Sequence, residues 1–167
     1  MQIIALSAPT SISGEHDTMC WLFEKGLDRF HIRKPDASNS EVEGFINSIP
    51  KEFRVNSSIH SYHQELCESN SSYGIHHTSR SIFNPDFEGA QSKSFHSIEE
   101  IKSATQVYDY GFLSPIFPSI TKEGYVGNFD EKKLIALNES SSIPLYALGG
   151  VSPETVKKAK ALGFAGI

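Results

Sequence analysis

Seven times over, and into an eighth, the chain returns to a short apolar run rich in β-branched residues, and every one of the seven but the fourth is followed by a polar–apolar stretch of helical period. Few architectures accept that rhythm. A strand, a helix and another strand in succession favour parallel pairing, because a parallel neighbour is reached only by a crossover. The spacing predicts strands over 3–6, 30–33, 54–60, 73–77, 92–96, 107–113 and 144–148. It predicts helices over 18–25, 40–49, 62–68, 98–104, 131–137 and 154–162. Gly26 stops the first helix and Pro50 the second; Ser97 with Glu100 makes a capping box, and Ser152-Pro153 an N-cap with a first-turn proline. Residues 79–90, with Pro85 and Gly89, read as a loop, and 163–167 begin an eighth strand. Closure at eight gives an α/β fold of the (β/α)8 TIM-barrel type, here short and with its eighth unit incomplete at the C-terminus. The alternative is an open doubly wound sheet. One domain over 1–167 is expected, although 167 residues fall below the roughly 200 or more that such barrels usually take.

Charge and composition remove several function classes. Fifteen Lys and Arg against 20 Asp and Glu leave a net charge of −5, and the pI is near 5.8. Such a chain is poorly suited to neutralising nucleic-acid phosphates or to resting on an anionic membrane. No apolar run approaches the roughly 20 residues of a membrane helix, and 1–6 carry no basic leader. Cys20 and Cys67 form neither a disulfide framework nor a zinc pair. The expectation is a cytoplasmic protein without nucleic-acid or membrane partners.

Reactive side chains gather at predicted strand ends, where barrels keep their chemistry. Five of the seven histidines fall there: His31, His60, His76, His77 and His96, with only His16 and His63 elsewhere. Alternation sets His31 and Arg33 on one face of the second strand, opposite Phe30 and Ile32, and Ser94 with His96 on one face of the fifth. The plainest reading of each ring is a half-buried, hydrogen-bonded imidazole. A metal cluster is another, but no carboxylate accompanies these histidines as hard divalent ions require, and no metal ligand is assigned. After the sixth strand, Ser119, Thr121 and Lys122 can wrap a phosphate with two hydroxyls and an ammonium. Gly149-Gly150, directly before the Ser152-Pro153 helix start, can offer backbone amides to an anion or simply allow a tight turn.

Five segments together carry a resemblance: Phe30-His31-Ile32-Arg33-Lys34, Gly74-Ile75-His76-His77, Ser94-Phe95-His96-Ser97, the run from Tyr110 through Ser114-Pro115 to Lys122, and Leu145-Tyr146-Ala147-Leu148-Gly149-Gly150. The chain resembles the thiamine phosphate synthases and their close relatives, the thiazole tautomerases. The resemblance implies a barrel enzyme of thiamine biosynthesis, often a homodimer, acting on small phosphorylated pyrimidine and thiazole substrates. A synthase joins a pyrimidine methyl diphosphate to thiazole phosphate, using Mg2+ and releasing diphosphate. By that resemblance Arg33 and Ser94 hold the diphosphate; Ser119, Thr121 and Lys122 stand at the phosphates; Gly149 and Gly150 bind the thiazole phosphate by backbone. Lys34 stands in for a lysine displaced by Pro35, and His31, His60 and His76 occupy substrate-binding positions. Where the family has magnesium carboxylates after strands three and four, this chain has His60-Ser61 and His76-His77. A tautomerase needs no metal, and there His96 is the proton shuttle. The synthase is the first expectation and the tautomerase the second. A non-catalytic barrel holding a phosphorylated thiazole or thiamine phosphate is the third, and a histidine-metal hydrolase the last.

Overall fold

The computed structural model describes residues 1–69, 73–78, 81–118 and 129–167. They form two compact units, Ile3–Gln91 and Met1–Gln2 with Ser92–Ile167.

In the first unit, β1 (Ile4–Leu6), β2 (Arg29–Ile32), β3 (Ser57–His60) and β4 (Gly74–His77) pair in parallel and in chain order. Helices α1 (Glu15–Glu24), α2 (Asn39–Ser48), α3 (Lys51–Arg54) and α4 (Gln64–Glu68) connect them. One face of the strands is apolar: Phe30, Ile32, Ile59 and Ile75 pack with Met19, Phe23, Val42, Ile46 and Cys67 of the helices. Each such side chain, fully buried, contributes roughly 1.5–3 kcal/mol. The opposite face, by alternation and register, carries His31, Ser58, His60 and His76. Helix α2 starts at a reciprocal cap, in which Ser38 Oγ accepts from the Glu41 amide and Glu41 Oε2 accepts from the Ser38 amide.

Two boundaries in this unit differ by three residues from the sequence expectation. The third strand begins at Ser57 because Pro50 opens one helical turn, α3, tied back by Arg54 Nε donating to the Ile49 carbonyl at 3.0 Å. The first helix begins at Glu15, earlier than expected, behind Gly14 at φ 76°.

In the second unit, β5 (Gln91–Phe95), β6 (Tyr110–Leu113) and β7 (Leu145–Ala147) are again parallel and sequential. They alternate with α5 (Ile98–Lys102), α6 (Glu131–Ser140) and α7 (Pro153–Ala161). The sixth strand starts three residues after the predicted 107, and Val107 lies 85% exposed outside it. The expected eighth strand is present only as a bridge. Gly166 pairs in parallel with Tyr146 on one side and Gln2 on the other. Ala165 donates to the Leu145 carbonyl at 2.8 Å, and Gln2 to that of Ala165 at 3.1 Å. Glycine is required there: a Cβ would meet the Tyr146 ring at 2.3 Å.

Sequential strand order separates this α/β fold from the doubly wound alternative, in which the order reverses at a switch point. Among the described residues no helix is long and apolar enough to cross a membrane.

Candidate functional site

The β3–β4 register places His60 directly beside His76, and His31 lies on the same face of neighbouring β2, opposite Ser58. The three rings meet. His31 Nδ1 and His60 Nε2 are 3.2 Å apart, and ring centroids lie 5.4 Å apart for His31–His60, 5.0 Å for His31–His76 and 4.3 Å for His60–His76. Exposure is 0% at His31, 5% at His60 and 2% at His76.

Burial disfavours an imidazolium, so all three titrate below the ordinary 6.5. Burial, then His76, His60 and Arg29, hold His31 well below it. Burial and then Arg33 bring His60 to about 3. Burial, then His60, His77 and Arg33, hold His76 well below it. At neutral pH the cluster is three uncharged rings, each with one donor and one lone pair. Arg33 follows β2, its amide donating to Ser7 Oγ at 2.8 Å, and among the described residues its guanidinium meets no carboxylate.

The other candidates of this unit are otherwise engaged. Lys34 is 2% exposed; its ammonium lies 2.5 Å from Glu15 Oε2 and 2.9 Å from the Thr10 carbonyl. A phosphate reaching Lys34 would have to displace Glu15. That carboxylate also accepts from the Ala8 amide at 2.9 Å, and nothing in the sequence reading singled it out. His77 faces away from the trio, with Nε2 2.9 Å from Gln91 Oε1 and Nδ1 3.1 Å from Ser81 Oγ. His63 bridges Asn39 Oδ1 and the Lys34 carbonyl at 2.7 and 2.8 Å, which makes it a structural residue.

In the second unit His96 is exposed at the end of β5. Its amide donates to Glu100 Oε2 at 2.7 Å, and its Nδ1 stands 3.1 Å from the Ser114 carbonyl. A carbonyl only accepts, so in the neutral ring Nδ1 carries the proton and Nε2 the lone pair. Ser94, two residues back on β5 and beside Phe112 of β6, shares its face with His96.

The strand-six and strand-seven loops are laced together. Ile116 donates to the Leu148 carbonyl at 2.9 Å and Phe117 to that of Gly149 at 3.1 Å. Gly149 and Gly150 take φ of +87° and +64°. A Cβ on Gly150 would stand 2.3 Å from the Pro118 carbonyl oxygen and 2.6 Å from that of Phe117. Gly150→Ala therefore adds a backbone clash to left-handed strain of about 1–2 kcal/mol. The expected result is a loss of at least about 2 kcal/mol, read by urea unfolding; an unchanged midpoint would mean that this turn relaxes freely. Ser119, Thr121 and Lys122 lie outside the described residues.

The magnesium that the resemblance implies does not fit the residues after β3 and β4. Mg2+ demands oxygen ligands in octahedral array, whereas the side chains gathered there are imidazoles.

A family model described as thiamine monophosphate synthase matches residues 90–167. No curated protein gives a significant match. Among solved structures, a thiamine phosphate pyrophosphorylase from Bacteroides thetaiotaomicron superposes with a TM-score of 0.83. It is 31% identical, and the alignment covers 99% of this chain and 81% of that one. A thiamine phosphate pyrophosphorylase from Pyrococcus furiosus gives 0.79 at 17% identity, over 99% of this chain and 83% of that one, a likeness of fold alone.

Proposed function

The chain belongs to the thiamine monophosphate synthase family, and from that premise we propose that it is an enzyme of thiamine biosynthesis acting on a phosphorylated thiazole. On this reading residues 1–167 act as one (β/α)8-type domain whose eighth unit begins at 163–167. The reaction that its own side chains favour is a proton shift on a thiazole carboxylate phosphate. The observation that carries this is His96: its Nδ1–H is tied to the Ser114 carbonyl, which leaves Nε2 as an acceptor at an exposed strand end. An imidazole fixed in that tautomer can take a proton from one position of the substrate and return it at another, atoms conserved overall. Arg33, Ser94, Ser119, Thr121, Lys122 and the backbone of Gly149 and Gly150 are assigned to the phosphate, and His31, His60 and His76 to the substrate end of the first unit. Lys34 is given no direct part.

The second reading is condensation of a pyrimidine methyl diphosphate with thiazole phosphate. The name of the Bacteroides relative and the Ser119, Thr121, Lys122 pattern favour it. There Arg33 and Lys122 would stabilise the charge that builds on departing diphosphate.

One set of assays separates the two. Purified protein given the carboxylated thiazole tautomer should convert it, with His96→Ala slower by about 100-fold or more while still binding the ligand. Full turnover by His96→Ala removes the ring from the mechanism. Formation of thiamine phosphate from the two condensation substrates, with no isomerisation, transfers the assignment to the second reading. Lys122→Ala should weaken any phosphorylated ligand under either reading.

A further inference from the structure

Three neutral imidazoles closed together on adjacent strands are a donor set in their own right. Among the described residues, His31, His60 and His76 are the group of His, Cys, Asp or Glu whose ligand atoms converge, all lying within 4.8 Å of one another. We propose that His31, His60 and His76 form a three-histidine site for a borderline divalent transition metal, Zn2+ above all, with a fourth position left for water or an anionic oxygen. Nothing in this rests on the reaction proposed above.

Distance comes first. With metal–nitrogen bonds near 2.0–2.1 Å, a tetrahedral centre sets its ligand nitrogens roughly 3.3–3.4 Å apart. His31 Nδ1 and His60 Nε2 already stand 3.2 Å apart. The remaining separations in the trio stay within 4.8 Å.

Rigidity supports the same conclusion. Each ligand sits on or at the end of a hydrogen-bonded strand, with His60 and His76 in direct register, so the trio is assembled before any ion arrives. Imidazole donors select Zn2+, Co2+, Ni2+ or Cu2+ over Mg2+, which wants oxygen. Three protein ligands and an open fourth position is the stoichiometry of reactive rather than purely structural zinc sites. Arg33 is the side chain whose charge acts on both His60 and His76, and that cation favours an anion at the open position.

The competing account is a dry chain of imidazoles hydrogen-bonded to one another. The test uses the full chain, stripped with a chelator and titrated with Zn2+ and Co2+ against a chromogenic competitor. One ion per chain is expected, with the intense visible bands of four-coordinate Co2+, undisturbed by excess Mg2+. His60→Ala should weaken Zn2+ binding by at least about 100-fold, the upper end of what even an outer-shell change costs; His16→Ala, remote from the trio, should leave it unchanged. X-ray absorption of the zinc-loaded unmodified chain should count three imidazoles, a readout that stands even if a variant fails to fold. Absence of a stoichiometric ion, fewer than three imidazoles at the metal, or equal affinity in a folded His60→Ala would overturn the site in favour of the hydrogen-bonded chain.

Discussion

Replacing Lys34 with methionine is expected to remove about 3–5 kcal/mol of stability, the cost of leaving one member of a buried ion pair alone. The Lys34 and Glu15 side chains are only 3% and 9% exposed, and the ammonium sits 2.5 Å from the carboxylate. With the lysine gone, Glu15 keeps one backbone donor, the Ala8 amide, and loses the cation that made burying its charge tolerable. A loss of that size is a large share of the 5–15 kcal/mol of a typical domain. Lys158 and Glu131 provide the contrast: they meet at 2.6 Å but are 53% and 60% exposed, so Lys158→Met should cost about 1 kcal/mol or less. Pairing Lys34→Met with Glu15→Leu should recover most of the loss, because the unpaired charge leaves together with its partner. Urea unfolding of the two single variants and the double variant measures all of this. A Lys34→Met cost as small as that of Lys158→Met would show that solvent reaches the pair.

What was legible in the sequence was periodic. The strand–helix rhythm and the apolar parity of Phe30, Ile32, Ile59 and Ile75 follow from side-chain alternation, and that parity determined which face the histidines share. Parity also separates His76 from His77, adjacent residues whose rings leave opposite faces of β4. Register was not legible. That His60 stands beside His76 depends on how β3 pairs with β4, which no local pattern encodes. Propensity misplaced two boundaries, reading 54–56 as strand where Pro50 starts a turn of helix, and 107–109 as strand where Val107 meets solvent. Glu15 went unnoticed because its meaning lies 19 residues away, at Lys34. Its helix also starts behind Gly14, which provides no side-chain cap to read. Ser119, Thr121 and Lys122, the motif's phosphate loop, lie outside the described residues.

The metal-free protein should also be unusually sensitive to mild acid. His31, His60 and His76 stay neutral when folded, the first and last well below 6.5 and His60 down to about 3, whereas the unfolded chain protonates near 6.5. Below that value the unfolded state binds more protons than the folded one, so stability falls as pH falls. Each ring that stays neutral costs about 1.4 kcal/mol per pH unit below 6.5, so His60 alone removes roughly 2 kcal/mol by pH 5, and His31 and His76 shift stability in the same direction. That is a sizeable share of the roughly 5–15 kcal/mol of a typical domain. The nearby cations add to the cost: Arg29 acts on His31, and Arg33 on His60 and His76, and both oppose a further positive charge there. Urea midpoints measured in chelator should hold steady from pH 8 to about 7 and then fall steeply toward 5, in the range where these imidazoles titrate. His60→Asn, with one titrating ring fewer, should fall less steeply, by about 1.4 kcal/mol per pH unit below 6.5. A flat profile across that range would mean that the rings accept protons in place, through solvent that the buried cluster now excludes.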